Sequence, residues 1–194
     1  LEKLLPNIQH QGVIIECLPL PRYNLEAWLI ELDKKEHIPQ VLVLDQVQDP
    51  QNLGACMRLA AVFDVDAVII PARNAASMNA TVAKVASGAD AIVPLIEVVN
   101  ITRALTTLKQ AGFWIYGTAE QAEQEINQAD VSVATAWVMG NEAKGMRQQV
   151  AKSCDQLFII PTATQFTTLN VAMSAGICLY ETMRKRKEKQ AKTS

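Results

Sequence analysis

Residues 41–63 read VLVLDQVQDPQNLGACMRLAAVF, and a change of period inside this stretch decides the fold class. Val41 to Leu44 is a continuous apolar run, the pattern of a strand buried on both faces. From Asn52 to Phe63 the apolar residues recur at helical spacing, so a strand passes into a helix through a short polar turn. That turn delivers an amide, Asn52, and a guanidinium, Arg58, just past the carboxyl end of the strand, where open α/β sheets bind ligands. Six residues separate the two, nearly two helical turns, and they are expected to share a face near the helix start. The plainer account makes Asn52 an N-cap and Arg58 a solvated helix residue.

The same alternation runs outward in both directions. Strands are expected at 12–17, 41–45, 67–70, 91–95, 113–117, 136–139 and 157–160, and helices at 25–32, 52–63, 79–87, 101–111, 121–128 and 144–152. Pro19 and Pro21 break the pattern near the start, Asn24 is placed to cap the first helix, and Gly88 and Gly112 stand where a glycine ends one. Continuous apolar strands alternating with helices define an α/β fold with a parallel sheet and helices on both faces. A last helix, 168–186, is apolar almost all round at first, through Leu169, Val171, Ala172, Met173, Ala175, Ile177, Cys178 and Leu179. Such a helix is buried on more than one side, here against the sheet and a second subunit. Its end, Arg184-Lys185-Arg186-Lys187, reads as a solvated, frayed terminus, with phosphate contact as the alternative.

At 194 residues, 49% hydrophobic and 20% charged, the chain suits one domain of ordinary size. Residues 1–24 read as the end of a preceding region and linker, 25–187 as one domain, and 188–194 as a disordered basic tail. No apolar run approaches the roughly 20 residues that span a bilayer, and no signal peptide is read at the start. The chain begins at Leu1, which suggests a fragment of something longer. Cys17, Cys56, Cys154 and Cys178 are far apart and His10 and His37 lie outside the motifs, so no metal is expected. Free buried thiols fit a reducing, cytoplasmic setting. A net charge of −2 and a pI near 5.7 argue against a generic nucleic-acid binder. Any such contact needs a local basic patch, a dimer surface or a further domain.

Two more strand ends carry unusual chemistry. Gly140-Asn141-Glu142-Ala143-Lys144-Gly145 follows one strand; a glycine there lets the backbone pass close to a ligand, and Glu142 at a helix start suits the helix dipole. Ile160-Pro161-Thr162-Ala163-Thr164-Gln165-Phe166-Thr167-Thr168-Leu169-Asn170 follows the next. Thr167 or Thr168 makes a sound N-cap for the last helix, and Asn170 in an apolar first turn needs hydrogen-bond partners. No Gly-x-Gly-x-x-Gly, P-loop or Ser-His-Asp set is present, which disfavours a nucleotide-binding dehydrogenase.

In this order, the three segments resemble the three motifs of the SpoU (TrmH-type) RNA 2′-O-ribose methyltransferases, within the SPOUT class. Asn79-Ala80-Thr81, Lys84-Val85-Ala86, Leu169-Asn170-Val171 and Gly176-Ile177-Cys178-Leu179 extend the resemblance, which covers nearly the whole chain from His10 to Arg186. It implies S-adenosyl-L-methionine as cofactor, RNA as substrate with ribosomal RNA favoured over transfer RNA, and a homodimer with the site near its interface. It also implies a trefoil knot near the C-terminus and an N-terminal RNA-binding domain absent from this chain. Carried over by position, Arg58, Asn52, Glu142, Thr168 and Asn170 are the catalytic set, Thr168 standing for a serine. Gly140, Ile160, Leu169, Thr118, Ala119 and Met139 are the cofactor-binding set.

The implied chemistry suits these residue types. Methyl transfer from a sulfonium to a ribose hydroxyl is an in-line displacement, for which positioning alone supplies roughly 7–11 kcal/mol. A guanidinium is a poor base, so orientation and charge stabilisation are expected of Arg58, with Asn52 and Asn170 fixing the hydroxyl. Several residues depart from the family pattern: Gln46, Asp64, Ala143 and Thr164 replace glycines, Leu59 a serine and Asn74 an arginine. The alternatives are a non-catalytic RNA-binding or ribosome-assembly factor on the same fold, favoured by Ala143 and Thr164, and a transfer-RNA ribose methyltransferase.

Overall fold

The structure is a computed structural model and describes residues 21, 23–141, 144–163 and 168–193. The expected strand at 12–17 lies outside them. Strands β1 (Gln40–Leu44), β2 (Ala67–Pro71), β3 (Leu95–Val98), β4 (Trp114–Thr118), β5 (Gln124–Glu125), β6 (Thr135–Met139) and β7 (Gln156–Ile159) form one sheet in the order β3-β2-β1-β6-β4-β7-β5. Every pairing is parallel. Leu42 of β1 sits between Val68 of β2 and Trp137 of β6.

Period-two alternation along each strand feeds two cores. Val41, Val43, Ile69, Ile115 and Val138 pack with α1 (Leu25–Leu32), α4 (Ile101–Gln110) and α5 (Gln148–Ser153). Leu42, Leu44, Val68, Ile70 and Trp137 face α2 (Pro50–Val62), α3 (Ala80–Ala86) and α6 (Val171–Thr193). With both faces covered, the central strands must be apolar throughout, as the sequence pattern anticipates. Tyr116, Trp137 and Phe158 meet with ring centroids 5.2–5.9 Å apart under α6. The Trp137 indole donates to Thr182 Oγ1 at 2.9 Å, and that buried hydroxyl donates to the Cys178 carbonyl.

Four expected elements change. The strand at 91–95 gives way to a 3₁₀ turn, Ala89–Ala91, and β3 begins only at Leu95, because Pro94 has no N–H for a ladder. The helix at 121–128 is replaced by β5 and a 3₁₀ turn, Ile126–Gln128. Pairing of Gln124 and Glu125 with Phe158 and Ile159 outweighs local helix propensity there. The helix at 144–152 starts at Gln148, since Asn141 and Gly145 form a bridge and Arg147 turns to Asp45. The last helix starts at Val171, three residues later than expected, and runs through Thr193, past the expected end at Arg186. Arg184 pairs with Glu181 and Glu188 along the helix, Lys185 donates to the Asn127 and Ala129 carbonyls, and Arg186 donates to those of Ile38, Pro39, Val131 and Val133. Arg184, Lys185 and Arg186 are thus held by main-chain oxygens and carboxylates of this chain.

Candidate active site

The segments leaving the carboxyl ends of β4, β6 and β7 enclose a cavity of about 410 Å³. All six residues of the expected cofactor set line it: Thr118 and Ala119 after β4, Met139 and Gly140 at β6, Ile160 after β7, and Leu169 before α6. Thr168 lines it as well. Glu120, Gln121, Lys144, Met146 and Leu157 also form part of the wall and were not anticipated. Their signal was available for Glu120 and Gln121, which directly follow the expected strand end, but not for Met146 or Leu157, whose side chains arrive by packing.

Gly140 is required by its own chain. A Cβ there would stand 2.2 Å from the Met146 nitrogen and 2.3 Å from the Gly145 carbonyl carbon. The close approach expected toward a ligand is therefore an approach of the loop to itself. Asn141 and Gly145 exchange backbone hydrogen bonds of 3.1 and 2.7 Å, and Gly145 takes the left-handed φ of +67°. Glu142 and Ala143 lie between them, outside the described residues. Thr164 is outside them too.

A pair that sequence reading missed anchors this loop. Asp45, fully buried at the end of β1, accepts from Arg147 Nε at 2.9 Å, Nη2 at 2.6 Å and the Arg147 backbone N–H at 2.9 Å. A carboxylate ending a buried strand demands a cation nearby, and that demand was the available clue.

The catalytic set is divided. Asn170 Nδ2 donates to Asn52 Oδ1 at 2.8 Å, joining residues 118 positions apart. Asn170 Oδ1 accepts from the Ala172 N–H at 2.9 Å, so Asn170 caps α6 and Thr168 does not; Thr167 is outside the described residues. Asn52 is not a cap either: Asp49 Oδ1 accepts from the Gln51 N–H at 2.9 Å, with Pro50 at the first helical position. Leu169 and Val171, on either side of Asn170, line the cavity, which brings the Asn52–Asn170 pair beside it. Arg58 does not share the Asn52 face. Six residues at about 100° each place it about 240° round the helix, on an exposed groove against α3.

Two thiols are held in the protonated form. Burial pushes Cys154 up to about 12 and Cys178 higher. Of the departures from the family pattern, Gln46, Asp64 and Asn74 all take left-handed φ, at 61°, 53° and 59°.

Comparison with known proteins follows the same outline. The family model described as the SpoU rRNA Methylase family matches residues 39–180. The 23S rRNA (guanosine-2′-O-)-methyltransferase RlmB of Pseudomonas aeruginosa is 43% identical over 177 residues, covering 91% of this chain and 71% of the relative. The SpoU methyltransferase AviRb from Streptomyces viridochromogenes shares the fold, with a TM-score of 0.79 at 21% identity over 88% of this chain and 66% of its own. The same enzyme in complex with the cofactor AdoMet superimposes with a TM-score of 0.72 at 23% identity, covering 78% and 59%. With its motifs at the carboxyl ends of β1, β6 and β7 and its family match across most of its length, this chain belongs to the SpoU rRNA Methylase family.

Proposed function

We propose that this chain is an S-adenosylmethionine-dependent RNA ribose 2′-O-methyltransferase acting on ribosomal RNA. The observation that carries this is the gathering of Thr118, Ala119, Met139, Gly140, Ile160 and Leu169 around one cavity, with the Asn52–Asn170 pair beside it. About 410 Å³ is room for a nucleoside-sized ligand. Apolar Met139, Leu157, Ile160 and Leu169 suit an adenine ring, and Glu120, Gln121, Asn141 and Ser174 offer partners for hydroxyl and amino-acid groups. The cofactor, when bound, supplies an electrophilic methyl group on a sulfonium. Everything else falls to this chain: the three segments hold and orient the ligand, Asn52 and Asn170 fix each other at the ribose side, and Arg58 supplies positive charge where RNA arrives. Glu142 and Thr168 complete the set by their motif positions.

This function implies a homodimer and the knotted C-terminal loops of the resemblance. The dimer is supported by an apolar face where α2 meets α6: Val62 and Met173 are about two-thirds exposed, and Ile177 and Tyr180 join them. The test is transfer of labelled methyl to unmodified ribosomal RNA, with nuclease mapping of the modified position. Arg58→Ala is expected to lower transfer about 10²–10³-fold. Absence of cofactor binding by calorimetry, or label on a base in place of the 2′-oxygen, would refute the function.

A further inference from the structure

Lys84 belongs to a segment, Asn79 to Ala86, that the cofactor cavity does not use. On α2, Gln51 and Arg58 are seven residues apart and so share a stripe; on α3, Thr81, Lys84 and Val85 share another. The two stripes, with Ser87, line an open groove of about 630 Å³. The helices are held in tight register: a Cβ on Gly54 of α2 would stand 2.6 Å from the Val85 Cβ of α3. The groove therefore presents two cations at a fixed spacing, with hydroxyls beside them and no carboxylate in its lining. Among the described residues neither Arg58 nor Lys84 has an ion-pair partner, whereas the other end of the molecule spends its cations on carbonyls and glutamates. In a chain of net charge −2, the groove gathers two cations with no acid in its lining.

We infer that the α2–α3 groove is a phosphodiester track, in which Lys84 holds a backbone phosphate of the RNA strand whose ribose approaches Arg58. The inference rests on the proposed RNA substrate and assigns to Lys84 a positioning role, not a chemical one. A lysine on phosphate contributes a sequence-independent, salt-sensitive share of affinity. Its replacement acts on RNA affinity and on KM for RNA, and leaves the cofactor cavity alone.

The experiment is fluorescence anisotropy with a labelled, unmodified RNA hairpin and a scrambled-loop version, from 50 to 200 mM KCl, on the wild type, Lys84→Ala and Lys84→Arg. Lys84→Ala is expected to reduce the slope of log K against log salt by about 0.7 and to weaken both RNAs by the same factor. Lys84→Arg restores both quantities, and cofactor affinity and Tm stay at wild-type values. An unchanged slope, a loss confined to one RNA, or a parallel loss of cofactor affinity overturns the inference. If the wild type transfers methyl but the Lys84→Ala slope is unchanged, the groove fails alone. If the wild type binds RNA with the expected slope change yet transfers nothing, the groove stands and the enzymatic function fails. If the wild type binds neither RNA, both fail.

Discussion

Replacing Arg147 by methionine tests how the cofactor loop is held. The substitution keeps most of the aliphatic volume and the backbone N–H bond to Asp45 Oδ2, but removes the Nε and Nη2 bonds to Oδ1. Asp45 is fully buried, so Oδ1 loses both charged donors without gaining water. Breaking a buried pair from one side costs about 3–5 kcal/mol. The Arg147 side chain is 45% exposed and its own desolvation was small, and one donor to the carboxylate survives, which sets the expectation at the low end, about 3 kcal/mol. With an m-value of about 2 kcal/mol/M, the urea midpoint falls by about 1.5 M. Adding Asp45→Asn to Arg147→Met removes the stranded charge and recovers part of the loss, a coupling of about 1–3 kcal/mol in the double-mutant cycle. A midpoint within 0.3 M of wild type for Arg147→Met, or additivity in the cycle, would show that the pair does not anchor the loop.

Gly140→Ala must drive residues 145–146 back by about 1 Å, and misplacement on that scale costs about 10²-fold in rate; methyl transfer is expected to fall by about that factor and calorimetry to show weakened cofactor binding, and wild-type values of both would refute the role of the close approach. Gln46→Gly and Asp64→Gly each relieve a left-handed residue and are expected to raise stability by about 0.5–1 kcal/mol in urea unfolding, with a fall counting against the strain. At pH 8, native Cys154 and Cys178 are expected to react with iodoacetamide about 10³-fold more slowly than a thiol of ordinary pKa. Peptide-resolved mass spectrometry reads this, and rapid labelling of Cys178 in the folded protein would contradict its burial.

The class of fold was legible because it depends on local periodicity: apolar runs such as 41–44 and 67–70 have no other comfortable home than a doubly covered sheet. The failures have a common physical origin. At 121–128 helical propensity was real but weak, and two residues paired with β7 instead. At 184–187 the composition looked solvated, yet Arg184, Lys185 and Arg186 each have a main-chain or acidic partner, up to 148 residues away in sequence. Much of the cavity lining was legible, since Thr118, Ala119, Met139, Gly140 and Ile160 end a strand or directly follow one. Asn52 and Asn170 were identified by motif, but their mutual hydrogen bond was not, because nothing local links positions 118 apart. The supposed shared face of Asn52 and Arg58 was an error of helical phase that the 3.6-residue repeat corrects.

Helix α6 is tied at both ends, by Asn170 to Asn52 beside the cavity and by Arg186 to the carbonyls of Ile38, Pro39, Val131 and Val133 at the amino ends of β1 and β6. Sixteen residues, about 24 Å of helix, separate those two anchors. The helix is thus a ruler cut to the height of the sheet. Inserting or deleting one residue between the anchors rotates one end by about 100° against the other, so that either the amide pair or the arginine clasp must let go. Length is forbidden to vary within this interval while the composition of its exposed face is free to change, and variation in length is confined to the turns that follow Arg186.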